Sequence, residues 1–313
     1  MTGASVHDDP LWPRAGGWIA SSPDLANRLA RESGGCDIAL LGVPAHETSI
    51  TPTRADTTPA AIRDALSRYS TWSTAHHIDI ASLRAWDFGD VEAPDGPAGE
   101  ARVREAVREA SESTRLLVAL GGDNSITFPV MSGLFGSMIA AGECGLVTID
   151  AHHDLRDGVS NGSPVRRLVQ EGRLPGRCVA QVGIADFSNS RAYADRAREM
   201  GITVISRAVL RRRGVEQCVG LALDVAGAGG RPVFVDIDMD VCDRASVPGC
   251  PSAAPGGISA DELREVAYLL GCDPRVRGLD ITELDASIDA PDGRTVRLAA
   301  LLVLEAAAGL ASR

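Results

Sequence analysis

About eight short apolar segments, rich in valine, isoleucine and leucine, recur along the chain and limit the folds that it can adopt. They cover residues 37–43, 83–88, 115–120, 144–149, 178–182, 202–205, 232–237 and 276–281. Most are apolar at successive positions, which is typical of strands buried on both faces. Segments with helical periodicity lie between and after them, at residues 59–69, 100–113, 164–171, 191–200, 215–226, 259–270 and 295–310. This alternation predicts an α/β protein, a three-layer α/β/α sandwich around a mainly parallel sheet of about eight strands.

The chain shows no break that would divide it into separate units. Its 313 residues contain no long linker rich in serine, proline or glycine and no internal repeat. A chain of this length is compatible with one or two domains, so the uniform pattern favours one. We expect a single domain over residues 1–313, with residues 1 to about 35 as an N-terminal extension packed on it.

The charged residues exclude several classes of function. Acidic residues outnumber basic ones by 42 to 31, for a formal net charge of −11. The resulting field would repel a phosphate backbone, so nucleic acid is not an expected partner. All 31 basic residues are arginines. Without lysine, the chain cannot form a lysine Schiff base, anchor pyridoxal phosphate or build a P-loop.

The cysteines and the N-terminal sequence indicate the compartment. Seven scattered cysteines include no CxxC pair, and we interpret them as reduced thiols in a chain large enough to need no disulfides. The first residues lack the basic and apolar regions of a signal peptide, and no apolar run is long enough to cross a membrane. We therefore expect a cytoplasmic protein with no membrane partner.

Polar residues of one chemical kind lie at the ends of four predicted strands. Their sequences are Gly-Gly-Asp-Asn-Ser at 121–125, Asp-Ala-His-His-Asp at 150–154, Asp-Ile-Asp-Met-Asp at 236–240 and Thr-Glu at 282–283. Ligand sites in parallel α/β sheets lie at the carboxyl ends of the strands. We therefore expect carboxylates and imidazole to meet at one edge of the sheet.

Two of these sequences place charged or titratable residues at every second position. Because residues two apart in an extended segment face the same side, two aligned rows result: Asp150, His152 and Asp154, and Asp236, Asp238 and Asp240. A single aspartate at a strand end usually caps a helix or bonds within a loop. Several buried carboxylates without partners each cost several kcal/mol, and like charges so close together require a cation. Oxygen ligands with an imidazole suit a hard divalent ion such as Mn²⁺.

At these residues the sequence resembles the ureohydrolase family of arginases, agmatinases and formimidoylglutamases. The family motifs Gly-Gly-Asp-His-Ser, Asp-Ala-His-x-Asp and Ser-x-Asp-x-Asp-x-x-Asp have counterparts here in the same order, the third followed by Pro-Gly at 248–249. Asn124 stands where the first motif has histidine, and Asp236 where the third has serine. The likeness runs from residue 42 to about 304 and includes Asp-Phe-Gly-Asp at 87–90. It implies an arginase-like fold and a ureohydrolase-like catalytic domain.

The resemblance also implies a centre of two manganese ions. The implied ligands are Asn124, Asp150, His152, Asp154, Asp238 and Asp240. Asp150 and Asp238 would bridge the ions. His152 and Asp240 would complete the more buried site, and Asn124 and Asp154 would belong to the other. Since an amide oxygen is a weaker donor than imidazole for such an ion, we expect one tight Mn²⁺ site and a second, weaker one.

The sequence after the second motif is most similar to formimidoylglutamases. The loop at 160–164 has Asn161 where arginases and agmatinases place a proton-shuttling histidine. The resemblance implies hydrolysis of N-formimino-L-glutamate to L-glutamate and formamide, a step of histidine degradation. Asp154 would protonate the leaving nitrogen, and Glu283 would hold the amidinium by a charge-assisted hydrogen bond.

Binding of the substrate's carboxylates would require cationic side chains. Arg54 and Arg166 are the candidates, because a guanidinium binds a carboxylate bidentately. Asn161 would also contact the substrate, together with Glu283. The family commonly forms trimers and hexamers, so the resemblance implies a homo-oligomer.

Two other functions remain open. An agmatinase-like or guanidino-acid hydrolase would release urea from its substrate. A non-catalytic relative would serve as a structural subunit or bind a small molecule, because Asn124 and Asn161 replace two histidines that the family uses. The retained carboxylates and His152 favour an enzyme, since sequence drift would not spare them selectively.

Overall fold

The computed structural model describes residues 9, 11–21 and 35–313, and the rest of the predicted N-terminal extension lies outside the described residues. Within the described part, the strands are β1 Ala20–Ser21, β2 Cys36–Val43, β3 Trp72–Ser73, β4 Ile78–Asp79, β5 Ala85–Asp90, β6 Thr114–Gly121, β7 Gly145–Ile149, β8 Val179–Ile184, β9 Thr203–Ser206, β10 Val233–Asp238 and β11 Val276–Thr282.

The main sheet of the described chain has nine strands in the order β1-β5-β2-β6-β11-β10-β7-β8-β9, and every pair is parallel. Strands β3 and β4 form a separate antiparallel pair. All eight strands predicted from the apolar segments are present. The ninth, β1, contributes two residues beside β5, at one edge of the sheet.

The helices of the described chain are α1 Thr58–Leu66, α2 Gly96–Ser111, α3 Thr127–Phe135, α4 Met138–Ala141, α5 Pro164–Gln170, α6 Arg191–Glu199, α7 Arg207–Arg213, α8 Val215–Ala226, α9 Ala260–Cys272 and α10 Arg294–Ala311. Seven of them correspond to predicted helices. Helix α3 escaped prediction because apolar and small residues fill it, so it lacks the periodicity of a half-exposed helix. None of the described helices is both long and apolar enough to span a membrane.

Alternate residues of the central strands face two separate hydrophobic clusters. On β2, Ile38 and Leu40 pack in one cluster with residues of α1, α8, α9 and α10. Ala39 and Leu41 pack in the other, with residues of α2, α3, α5 and α6. This alternation follows from the two-residue period of a strand. The predicted three-layer α/β/α sandwich is confirmed.

Residues 11–21 lie against this sandwich. The Ala15 backbone N–H donates to the Tyr69 carbonyl at 2.8 Å, and the Trp18 indole N–H donates to the Leu83 carbonyl at 2.9 Å. These contacts tie the segment before β2 to the residues that follow α1 and precede β5.

The carboxyl ends of β6, β11, β10 and β7 lie next to one another at the centre of the sheet. Strand β10 pairs with both neighbours, so that Asp236 lies opposite Asp280 on β11 and Thr148 on β7. These four ends carry the four polar sequences predicted to converge. The topology therefore brings them to one edge.

Candidate metal centre

Strand β7 ends at Ile149, directly before three of the predicted ligands. Asp150 is fully buried, and its Oδ1 accepts a hydrogen bond from the His152 backbone N–H at 2.6 Å. The His152 Nδ1 lies 2.7 Å from Asp240 Oδ2 and 3.6 Å from Asp150 Oδ1. Asp154 adopts a φ of +53°, a left-handed conformation that residues other than glycine rarely adopt. Such backbone strain is typical of functional sites.

Strand β10 carries the second row of acidic residues on a fully buried strand. Asp236 lies within the strand, Asp238 ends it, and Asp240 follows in a 3₁₀ turn. Asp238 Oδ1 accepts from the Asp240 backbone N–H at 2.8 Å, and Asp240 Oδ1 accepts from the Ala151 backbone N–H at 3.1 Å. These bonds fix the end of β10 against the end of β7.

The two rows form two groups that are suited to hold a metal ion. Ligand atoms of Asp150, His152 and Asp240 all lie within 4.8 Å of one another, and so do those of Asp150, Asp154 and Asp236. The groups share Asp150 and therefore lie side by side. Asp238 belongs to neither trio and lies beside Asp240, bordering the cleft described below.

Burial disfavours the ionised form of these carboxylates. Together with the charge of Asp240, it raises the pKa of Asp150 to about 7. Burial and neighbouring carboxylates also raise the pKa of Asp154, Asp236 and Asp238 well above the usual value. One imidazole cannot neutralise so many carboxylates, and a divalent cation would.

His152 behaves in the opposite way. Burial opposes the charged imidazolium, but hydrogen bonds with Asp150 and Asp240 raise the pKa of His152 to about 12. The same hydrogen bond keeps the pKa of Asp240 below its usual value, although burial acts against this. His152 and Asp240 therefore form a hydrogen-bonded ion pair within the cluster.

Two fully buried carboxylate oxygens of the acidic rows have no hydrogen-bond partner among the residues that the structure describes. They are Asp150 Oδ2 and Asp236 Oδ2, and both side chains are fully buried. An unpartnered oxygen in such a place is unfavourable, and coordination to a metal would satisfy it. Together with an imidazole, these oxygens form the donor set of a hard divalent cation such as Mn²⁺. The residues present fit a metal centre.

Asn124, at the end of β6, is buried against these rows but does not turn its oxygen toward them. Its Nδ2 donates to Asp154 Oδ2 at 2.5 Å. Its Oδ1 accepts from the hydroxyls of Thr127 and Thr282, at 2.9 and 3.0 Å. The amide oxygen that the sequence predicted as a metal ligand is thus occupied by two hydroxyls, and Asn124 orients Asp154 instead.

Glu283 and Asn161 lie together beside the rows. Glu283 Oε1 accepts hydrogen bonds from the Asn124 backbone N–H and from Asn161 Nδ2, both at 2.8 Å. Burial and the charge of Asp123 raise the pKa of Glu283 to about 8. Asn161 also accepts from the Ile50 backbone N–H through Oδ1, at 3.1 Å. These bonds hold the 160–164 loop over the site.

A cleft of about 310 Å³ opens onto the acidic rows. Its lining includes His152, Asp154, Asn161, Asp238, Asp240 and Glu283. Arg156 borders the same cleft, is exposed, and forms no side-chain hydrogen bond or ion pair with any residue in the described ranges. Arg156 is not among the residues predicted from the sequence, although it lies two residues after Asp154, at the spacing of the row that begins at Asp150.

The two arginines predicted to bind substrate carboxylates do not line this cleft. Arg166 is buried, and its guanidinium donates to the carbonyls of Arg156 and Gly158 at 2.7 and 2.5 Å. It therefore shapes the loop beside the cleft. Arg54 is exposed and forms an ion pair with Asp56 at 2.9 Å.

Comparison with known proteins agrees with this geometry. The sequence model of the arginase family matches residues 36–309. The formimidoylglutamase of Halalkalibacterium halodurans is 36% identical over 273 residues, which cover 85% of this chain and 84% of that protein.

Two solved structures extend the comparison to the fold. The crystal structure of formimidoylglutamase from Bacillus subtilis matches with a TM-score of 0.86 at 30% identity, over 99% of this chain and 95% of that one. Trypanosoma cruzi formiminoglutamase, crystallised with Mn²⁺, shares the fold with a TM-score of 0.84 at 23% identity, over 96% of this chain and 99% of that one. Because the family's sequence model spans most of the chain and its acidic motifs meet at one edge of the sheet, the chain belongs to the arginase family.

Proposed function

We propose that this protein is a manganese-dependent hydrolase that converts N-formimino-L-glutamate and water to L-glutamate and formamide. The observation that carries the proposal is the buried group of Asp150, His152 and Asp240 at the floor of an open cleft. The formimidoylglutamases of Halalkalibacterium halodurans and Bacillus subtilis are 36% and 32% identical to most of this chain, which supports the choice of substrate. A guanidinopropionase is 30% identical to most of the chain, so guanidino acids are the substrates to test against it.

We assign the metal ligands from the acidic rows. Asp150, His152, Asp238 and Asp240 would hold the tighter Mn²⁺ ion. Asp154 would hold a second, weaker ion next to it, sharing Asp150 and Asp238. The second site would be weaker, because the Asn124 oxygen that the sequence assigns to it already accepts two hydrogen bonds. Asn124 contributes to that second site through its hydrogen bond to Asp154.

The metal and the side chains have separate tasks in the reaction. When bound, Mn²⁺ supplies a Lewis acid that lowers the pKa of a water molecule toward neutrality. In the overall reaction the water oxygen bonds to the amidine carbon, and the bond from that carbon to the glutamate nitrogen breaks. Asp154, which borders the cleft, delivers the proton that the leaving nitrogen needs.

Glu283 binds the cationic end of the substrate. Its Oε1 is occupied by the donors of Asn124 and Asn161, whereas its Oε2 has no hydrogen bond to any residue in the described part of the chain. An amidinium N–H would donate to this oxygen in a charge-assisted hydrogen bond. Asn161 keeps the carboxylate in place for this contact.

Arg156 is our candidate for the substrate's carboxylates. Among the residues that the structure describes, it is the arginine that lines the cleft, and its side chain has no partner there. It lies two residues after Asp154. A guanidinium binds a carboxylate bidentately. The cleft would then hold a cationic group at its acidic floor and an anionic group at its rim, which matches an amidine with a carboxylate tail.

We also propose one catalytic domain over residues 1–313, a cytoplasmic location and a homo-oligomer. The contacts of Ala15 and Trp18 support packing of the N-terminal extension on the domain. All seven cysteines are free and none is exposed, which fits a reducing compartment. Sedimentation of the purified protein would test for the trimer or hexamer that the family resemblance implies.

A substrate panel tests the proposed reaction. Protein loaded with Mn²⁺ is incubated separately with formiminoglutamate, agmatine, arginine and guanidinobutyrate, and formamide, urea and ammonia are each measured. We expect formamide from formiminoglutamate and no urea. Urea from a guanidino compound would instead identify the agmatinase-like or guanidino-acid activity, and no product from a metal-loaded protein would identify a non-catalytic relative.

A further inference from the structure

Asp236 has no task in the centre proposed above. It stands where the family motif has serine, and its side chain is fully buried on β10. Its Oδ1 lies 3.4 Å from the Thr282 hydroxyl, while its Oδ2 has no hydrogen-bond partner within the described residues. A buried carboxylate with a free oxygen is unfavourable unless a proton or a cation satisfies that oxygen.

The free oxygen belongs to a side chain that lies among the ligands of the second ion. One oxygen each of Asp150, Asp154 and Asp236 lie within 4.8 Å of one another. Asp150 also has a free buried oxygen, Oδ2. Three carboxylates from two adjacent strands thus surround one position, next to the group that contains His152.

The second ion needs another ligand because the Asn124 side chain does not offer its oxygen. The family motif places an imidazole here, but the amide of Asn124 turns its nitrogen to Asp154. Its oxygen accepts from Thr127 and Thr282, and those two bonds would have to break before it could bind a metal. The second ion therefore lacks a ligand from β6.

We propose that Asp236 is a ligand of the second Mn²⁺ ion and replaces the donor lost at Asn124. This inference rests on the metal centre of the proposed function. It connects the two departures from the family pattern: a histidine is lost at the end of β6, and a carboxylate is gained on β10. The second site then has only carboxylate ligands from the chain, and carboxylates are donors that suit Mn²⁺.

Asp280 offers Asp236 a competing partner. The two residues lie opposite each other on β11 and β10, and Asp280 Oδ1 is also buried without a hydrogen-bond partner in the described chain. A proton shared between these carboxyls would satisfy both. If Asp236 only shares a proton with Asp280, its replacement should leave the amount of bound manganese unchanged. If Asp236 is a metal ligand, its replacement should weaken binding of the second ion.

The test is the metal content of Asp236→Ser, which installs the residue of the family motif. Wild-type and variant protein are dialysed against graded Mn²⁺, and bound manganese is counted by mass spectrometry. Electron paramagnetic resonance reports whether the bound ions are magnetically coupled. We expect roughly two coupled ions in the wild type. In the variant we expect one ion, or a second that needs at least roughly tenfold more Mn²⁺.

A second substitution provides the rescue. Asn124→His in the Asp236→Ser background recreates the ligand set of the family motif, and we expect the second ion and the coupled signal to return. Asp236→Asn keeps the volume of the side chain and serves if the serine variant does not fold. It should weaken the second site in the same direction, and Mn²⁺ should raise its melting temperature less than that of the wild type.

The outcomes separate this inference from the proposed function. Two coupled ions in both wild type and Asp236→Ser, at equal Mn²⁺ concentrations, would overturn the role of Asp236 alone and assign it to the pair with Asp280. A wild-type protein that binds no manganese would overturn the metal centre itself. Loss of the second ion in Asp236→Ser with recovery in the double variant supports the proposal.

Discussion

Aspartates at two places on the same edge of the sheet are neutralised in different ways. At the end of β5, Asp87 and Asp90 both bind the guanidinium of Arg63, at 2.6 and 2.5 Å. At the ends of β7 and β10, the aspartates face one another instead. In the described part of the chain no arginine forms an ion pair with any of them, and His152 is their one charged partner.

The difference shows how the same residue type serves two purposes. The chain has 31 arginines, and one of them, Arg63, neutralises the aspartates at the end of β5. It leaves the β7 and β10 ends without one, although buried carboxylates there are costly. We interpret the end of β5 as structural, because Arg63 neutralises its aspartates. We interpret the ends of β7 and β10 as the place where an external cation binds.

The largest effect should follow from changing the residue shared by the two metal groups. Asp150→Ala removes a ligand from both trios, so we expect loss of both ions and a fall in activity of more than about a hundredfold. Manganese content and formamide release measure the two effects. Treatment of the wild type with a chelator should have the same consequence, and full turnover in metal-free protein would contradict the mechanism.

The β5 end should respond in stability rather than in metal content. Arg63→Gln leaves Asp87 and Asp90 without their cation, and we expect the free energy of unfolding to fall by about 2–3 kcal/mol, between the values for exposed and buried pairs. Urea denaturation measures this change. Normal stability together with lost manganese would show that the two regions are not independent.

Arg156 should affect substrate binding only. We expect Arg156→Ala to raise KM for formiminoglutamate by roughly tenfold, because it removes a contact with the part of the substrate that does not react. Metal content should stay the same. Arg54→Ala is the matched comparison, since its guanidinium lies outside the cleft lining. A rise in KM for Arg54→Ala and not for Arg156→Ala would restore the assignment made from sequence.

The smallest expected effect concerns the metal-free protein and pH. The pKa values of Asp150 and Glu283 are raised to about 7 and 8, mainly by burial. A raised pKa in an acidic group gives stability that is lost as pH rises through the folded value. We expect the melting temperature without metal to fall by on the order of 5 °C between pH 5.5 and 8.5. Mn²⁺ should abolish this fall, and an equal fall with and without Mn²⁺ would contradict the account.

Much of the fold could be predicted because buried positions require apolar residues, and the spacing of those residues is visible in the sequence. Strands covered on both faces, such as β6, contain continuous apolar runs, which predict them directly. Helix α3 was missed because its composition carries no polar face. The acidic rows were found because alternate positions on a strand must share a side.

The parts of the site that could not be predicted depend on side-chain orientation. The sequence places Asn124 at the right strand end, but only packing against Thr127 and Thr282 decides which end of the amide faces Asp154. Likewise, nothing in the sequence indicates that Arg166 folds back onto backbone carbonyls. Contacts between distant segments decide both cases.

We propose that the aspartates at the ends of β7 and β10 form a site for two manganese ions. Crystals grown with Mn²⁺ and measured at the manganese absorption edge would locate the ions directly. The account predicts two anomalous peaks, one among Asp150, His152 and Asp240 and one beside it between Asp150, Asp154 and Asp236. The absence of a peak at either position, with manganese present in the crystal, would contradict it.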